Sequence, residues 1–167
     1  MHASSYSLMQ KLVSRVCLSG RGVVVDVGSQ DVNGTYRNIF GTAWDYRGVD
    51  ISPGKNVDIV MVDEYSIPLP NRCADLVISG QTLEHVRNPF KLVSEMARIL
   101  KIGSHLFMIA PFVWAEHKYP IDCWRFLPDG MRSLIEDTGL AFVESAITKA
   151  SATESECYGV GLKVNGR

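Results

Sequence analysis

Five short apolar runs recur along the chain, at Gly22–Val27, Arg47–Ile51, Val57–Val62, Ala74–Ser79 and His105–Ala110. They are nearly continuous in apolar residues rather than alternating, the pattern of parallel strands covered on both faces. Helical signals fall between and around them. Tyr6 to Cys17 sets Leu8, Leu12, Val13 and Val16 at helical spacing. After the fourth run, Asn88 caps a helix, Pro89 suits its first position, and Phe90, Val93, Ala97 and Leu100 form its apolar stripe. Gly103 is placed to stop that helix in the left-handed conformation. A second helix is expected from Asp129 to Thr138, closed by Gly139. Two last strands, Ala141–Thr148 and Tyr158–Val164, are close enough in sequence to pair as an antiparallel ribbon. This succession predicts an α/β chain with a doubly wound sheet. One interval resists it. The link from Ile51 to Val57 is too short for a crossover helix, so a compact loop makes that crossing or one strand is misplaced.

At 167 residues the chain is long enough for one substantial core, and a single domain over residues 1–167 is expected, with a helical segment in residues 1–20. Seventeen basic residues against 18 acidic give no electrostatic reason to expect nucleic acid as a partner. The longest apolar stretch, Leu106–Ala115, falls short of the roughly 20 residues of a spanning helix. "MHASSYSLMQKLVSRV" mixes charges among its apolar residues, unlike a signal peptide. Cys17, Cys73, Cys123 and Cys157 show no metal-ligand spacing, so reduced, mostly buried thiols in a cytoplasmic protein are expected.

The ends of the strands carry the chemistry. The first, "VVVDVGSQDVNG", runs from Val23 through Asp26 and Gly28 to Gly34. In such sheets ligands sit beyond the carboxyl ends of the strands. Gly28 would let a ligand approach the backbone. Gly34 either does the same or permits an Asn33–Gly34 turn. The dinucleotide pattern GxGxxG is missing, because Gln30 stands at its second glycine. Asp50 ends "YRGVD", where a carboxylate can accept both hydroxyls of a ribose or cap a turn. Asp63 follows the third strand in "VDEYSIPLP". Three acids at three successive strand ends are hard to explain as solvated turns alone.

The ordered set "VVVDVGSQDVNG", "YRGVDIS", "VDEYSIPLP" and "ADLVISGQTLEHVRNPFKLVSEMARILKIGS" resembles the class I S-adenosylmethionine-dependent methyltransferases, in particular their small type-11-like group. The resemblance runs from Val23 to Val164. It implies a Rossmann-like sheet, mostly parallel with an antiparallel C-terminal strand, and S-adenosylmethionine as cofactor. On that likeness, Asp26, Gly28, Ser29, Gln30 and the loop to Gly34 would hold the methionine part. Asp50 would take the ribose and Asp63 the adenine amino group, with Ile51 and Glu64 completing the set. The backbone at Ser79 and Gly80 would face the sulfonium. Gln30 departs from the family's closely spaced glycines, so side chains of Gln30, Asp31 or Asn33 would replace some backbone contacts.

Methyl transfer needs alignment, and a general base when the acceptor carries a proton of high pKa. His85, in "TLEHVRNP", lies near the expected methyl and is a second candidate base, although in the resembling family Glu84-His85 often helps pack the loop. The segment "APFVWAEHKYPIDCWRFLPDG" is unusual, and its residues 112–127 are expected to form an acceptor loop. His117 is the preferred base there, with Tyr119, Asp122, Trp124 and Arg125 as substrate contacts. The alternative is an Asp122–Arg125 ion pair with Trp124 packed inside. The resemblance extends to this loop, since similar "HxYPxDxWRF" loops occur in bacterial members of the group. The fourth strand ends in Ser79-Gly80-Gln81-Thr82, not the Asn/Asp-Pro-Pro-aromatic pattern of base or amide methylation. No metal is expected, because the chain lacks the acids of magnesium-dependent catechol methylation, and His117 and Asp122 are two ligands without a third. A small-molecule hydroxyl, on a sugar- or lipid-linked metabolite, is the leading acceptor. A cofactor-binding module without catalysis and a nucleotide-dependent oxidoreductase are the rival classes. The small chain leaves little room for a lid, which a homodimer partner could supply.

Overall fold

The computed structural model describes residues 2–16, 20–149, 151 and 153–165. Cys17, the expected end of the first helix, lies outside them. Seven strands form one sheet in the order β3-β2-β1-β4-β5-β7-β6: β1 Gly22–Val27, β2 Trp44–Asp50, β3 Ile59–Val60, β4 Ala74–Gly80, β5 Leu100–Val113, β6 Ala141–Lys149 and β7 Ser155–Leu162. The first five run parallel, while β7 inserts antiparallel between β5 and β6. The expected mostly parallel sheet with its antiparallel C-terminal ribbon is therefore present.

Successive strand residues feed opposite cores, which is why these segments read as continuous apolar runs. On one face Val24, Leu76, Ile78, Phe107 and Ile109 pack with Met9, Leu12 and Val13 of helix α1, Ala3–Val16. On the other, Val25, Val77, Leu106 and Met108 pack against helices α2, Pro89–Ile99, and α3, Pro128–Asp137. Asn88 caps α2 by accepting the Lys91 N–H, as its position in the sequence suggested. The buried face is set by Leu92, Val93, Met96 and Ala97, and Phe90 is 44% exposed. Gly103 does not stop this helix. The helix gives way at Leu100, which pairs with Ala74, and Gly103 lies inside β5 with φ +81, its N–H bonded to Lys163 O. Gly139, with φ +78, does close α3.

The short second crossover is a compact loop, and β3 shrinks to two residues. Val62, expected in that strand, is 97% exposed. A polar clasp replaces the missing helix. Asn56 takes the left-handed conformation, φ +69, tolerated by its short amide. Its Nδ2 donates to Ser29 O, and Arg37 Nε donates to its Oδ1. Arg37 also pairs with Asp58, whose carboxylate accepts the Gly48 N–H. Gly48 has no room for a side chain: a Cβ there would sit 2.0 Å from Asn56 O. Cys73, Cys123 and Cys157 are free, and only Cys157 is buried. Among the described residues, no helix is long and apolar enough to cross a membrane.

Candidate cofactor pocket and active site

The chain leaves β1 toward β2 and β3 on one side of the sheet and returns to β4 on the other. At this switch point a cavity of about 480 Å³ opens beyond the carboxyl ends of β1, β2 and β4. Asp26, Gly28, Ser29, Gln30 and Gly34 line it, together with Asp50, Ile51, Glu64 and Gly80. Across the same cavity stand His85, His117 and Tyr119. Cofactor and acceptor residues expected from separate stretches of sequence thus share one chamber.

Asp26 is 2% exposed. Its Oδ2 accepts from the Tyr46 hydroxyl, while Oδ1 has no hydrogen-bond partner among the described residues. Burial pushes its carboxyl up to about 7, against the lowering effect of the Tyr46 bond. A buried, half-satisfied carboxyl at a cavity wall is suited to a cationic ligand. Asp50 combines both sequence alternatives. It lines the cavity and also orders the turn, accepting Gln30 N–H on Oδ2 and Ser52 N–H on Oδ1, each at 3.1 Å. The loop without its second glycine is held in this way. Asp31 adds an ion pair to Lys55 at 2.7 Å and accepts the Gly34 N–H.

Gly28 lines the cavity with φ +82. A Cβ there would lie 2.0 Å from Thr82 Oγ1, so packing requires the glycine as well. Gly80 is constrained likewise by the Tyr36 hydroxyl, 2.1 Å from where its Cβ would stand. Two expected residues, Ser79 and Asp63, lie outside the cavity lining. Ser79 does not line the cavity; its buried hydroxyl donates to Val27 O and ties β4 to β1. Asp63 also lies off the cavity, exposed, its Oδ1 accepting Tyr65 N–H in a tight turn, so that Glu64 faces the chamber instead.

The wall across the cavity from Asp26 is built by a short 3-10 turn, Leu83–His85, and the loop after β5. Glu84 is fully buried, with neither carboxylate oxygen hydrogen-bonded among the described residues. Its Oε1 lies 3.6 Å from His85 Nε2 and 3.8 Å from His117 Nε2. Burial foremost, with Asp122 adding to it, pushes the Glu84 carboxyl up to about 8. Burial also lowers His85. The two imidazole rings meet edge to face at 5.0 Å.

Asp122, Trp124 and Arg125, expected as substrate contacts, do not line the cavity. They frame the loop. Arg125 grips Asp122 with two bonds, 2.6 and 2.8 Å, and reaches Trp114 O and Ala115 O. That partnership holds the Asp122 carboxyl well below the usual carboxylate range. Asp122 in turn accepts the His117 N–H. Trp124 is 44% exposed rather than packed inside, its indole N–H donating to Val86 O. Cys123 N–H donates to Glu84 O, latching the loop to the 3-10 turn. Sequence reasoning missed Glu84, Tyr46 and Thr82 as site-forming residues. Glu84 alone carried a signal, an acid beside His85 in a mostly apolar stretch.

The methyltransferase domain model matches residues 25–108, half of the chain. No curated protein matches the sequence. Among solved structures, one described as a candidate methyltransferase from Bacillus halodurans superimposes with a TM-score of 0.73 at 15% identity, covering 95% of this chain and 100% of that one. The [4+2]-cyclase SpnF gives 0.73 at 15% identity, over 96% of this chain and 81% of the cyclase. An S-adenosylmethionine-dependent methyltransferase from Methanosarcina mazei gives 0.67 at 14% identity, over 91% and 97% of the two chains. These likenesses establish the fold, while the domain match over half the chain establishes the family. The chain belongs to the methyltransferase domain family, and is an S-adenosylmethionine-dependent methyltransferase.

Proposed function

We propose that the protein transfers the methyl group of S-adenosylmethionine to a hydroxyl of a small-molecule acceptor in the cytoplasm, on a sugar- or lipid-linked metabolite. The observation that carries this reading is the facing of two half-sites across one cavity: Asp26 and Asp50 on one wall, His85 and His117 on the other. Asp26 Oδ1 is free to receive the ammonium of the methionine part. Asp50 retains lone pairs toward the ribose, and the adenine end lies toward Ile51, Met61 and Glu64. The methyl then points to the two imidazoles. An alcohol is a poor nucleophile until its proton is engaged, and an imidazole in reach of the attacking oxygen supplies that. His117 Nε2 is the acceptor of the proton in this scheme, with His85 beside it. Arg87, Lys118 and Tyr119 also line this side, which suits a hydroxylated or anionic metabolite better than an apolar one.

The short second crossover and the loop without its second glycine, the features that would favour binding without catalysis, have structural accounts of their own. Gln30 is used through its backbone N–H, and the short crossover is closed by the Asn56 clasp. Isothermal titration with S-adenosylmethionine and NAD, followed by transfer of a labelled methyl to fractionated metabolites, tests the reading. Tight NAD binding, or cofactor binding with no labelled small molecule, would overturn it.

A further inference from the structure

Among the described residues, Glu84 alone has two buried side-chain oxygens without a hydrogen-bond partner. Its side chain is fully buried. Groups in that position hold a proton or face a cation. What faces it is a pair of imidazole nitrogens, 3.6 and 3.8 Å from the same oxygen. One donor atom from each of Glu84, His85 and His117 can be chosen so that all lie within 4.8 Å of one another. Zinc–nitrogen and zinc–oxygen bonds of about 2.0–2.2 Å put tetrahedral ligands roughly 3.3–3.5 Å apart. The two Glu84–imidazole separations exceed this by a few tenths of an ångström, and donor atoms of all three residues lie within 4.8 Å of one another, so the two rings would close toward a shared ion.

The outer contacts of both rings agree. His85 Nδ1 lies 2.6 Å from Ile121 O. His117 Nδ1 lies 3.1 Å from Ala115 O and 3.5 Å from Asp122 Oδ2. With both Nδ1 atoms against acceptors, each ring carries its proton there and turns the Nε2 lone pair inward. A ligating histidine backed by a carbonyl or carboxylate has this arrangement. The role of Asp122 changes accordingly: it is a support behind His117, and Glu84 is the third ligand that the pairing of His117 with Asp122 lacked.

We propose that Glu84 Oε1, His85 Nε2 and His117 Nε2 bind a divalent transition-metal cation, zinc being the first choice for this donor set, with a fourth position open to the cavity. His85 and His117 both line the cavity, so that position faces the acceptor. Its role in turnover rests on the methyl-transfer reading above. An acceptor hydroxyl bound there loses its proton to water in the open chamber. Its oxygen lone pair forms the new O–C bond while the C–S bond breaks, leaving its electron pair on sulfur as the neutral thioether. The cation then replaces His117 as the group that activates the acceptor.

The test uses the full chain after chelator dialysis, titrated with zinc chloride and separately with Co²⁺. One equivalent of saturable zinc binding, a rise in melting temperature and visible d–d bands from low-coordinate Co²⁺ are expected. Glu84→Gln, His85→Ala and His117→Ala should each weaken zinc by at least roughly tenfold. His105→Ala, away from the cluster, should leave it unchanged. Cofactor affinity measured on every variant confirms that it is folded. Absent saturable binding, or equal affinity in folded variants, overturns the site. A Glu84→Gln protein that melts higher than a wild type indifferent to zinc would instead show Glu84 holding a proton, and also overturns it. Zinc bound without methyl transfer would fail the functional reading and leave the site standing; transfer unaffected by chelation with no zinc bound would do the reverse.

Discussion

Cofactor binding should expel a proton from Asp26. The free protein holds this carboxyl at about 7, against an ordinary 3.8, because burial disfavours its charge. The ammonium of the methionine part favours the charged form. Below pH 7 the free carboxyl is protonated, so binding the cation at pH 6 should release close to one proton, roughly 0.9. Affinity should rise about tenfold per pH step from about 4 to 7 and then flatten. If the ligand restores the ordinary value, the span is roughly a thousandfold, about 4 kcal/mol at 1.36 kcal/mol per pH step. Above pH 8 affinity should fall again as the ligand's own α-amino group, ordinarily about 7.7–8.0, loses its charge. The same value governs stability. In the unfolded chain Asp26 ionises near 3.8 while in the folded one it stays protonated to about 7, so its contribution to stability falls across that window and is level above it. Titration calorimetry in two buffers of different ionisation enthalpy counts the protons. Methylthioadenosine, which lacks the amino acid, should release none, and Asp26→Asn should abolish the release and reduce the stability slope, leaving the part that Glu84 and Glu156 contribute. Zero release in the wild type at pH 6, or unchanged release in Asp26→Asn, would mean that Asp26 does not receive the ligand's ammonium.

Gly28→Ala should lower the melting temperature, since it combines a positive φ costing about 1–2 kcal/mol with a clash against Thr82; a Thr82→Ala partner change should recover part of the loss, and an unaltered Gly28→Ala protein would contradict the packing described. Asp50→Ala should weaken S-adenosylmethionine by about 1–3 kcal/mol in calorimetry, the loss for charge-assisted bonds, and equal affinity would remove Asp50 from the site. Arg125→Ala leaves the Asp122 carboxylate buried without its guanidinium, at a cost of about 2–3 kcal/mol for a pair open on one side; it should speed proteolysis within residues 114–127 while sparing cofactor affinity, and an unchanged cleavage rate would mean the loop is held by other contacts.

Much of this site is legible in the sequence because strand ends are. Asp26, Asp50 and Gly80 close runs whose continuous apolarity already places them in a two-sided sheet, and ligands gather at such ends. What is not legible lies across the fold. Gly28 reads as room for a ligand, but its packing against Thr82 is hidden, because that contact joins residues more than fifty apart. Gly103 reads as a helix stop because apolar spacing continues to Leu100, yet strand pairing with Ala74 claims Leu100 first. Asp122 and Arg125 read equally as binders or as a pair, and only the loop's path shows them turned to its own carbonyls. Glu84 carries the largest lesson. Its role depends on His117 arriving from a loop beyond the next strand, which no local pattern announces.

If one chamber holds cofactor and acceptor together, S-adenosylmethionine carrying a deuterated methyl should label the metabolite fraction of a cell extract, read by mass spectrometry. A labelled, low-molecular-mass methyl ether is expected, lost in both Asp50→Ala and His117→Ala. Label appearing only in RNA or protein, or a labelled metabolite that persists undiminished in both variants, would contradict the shared chamber.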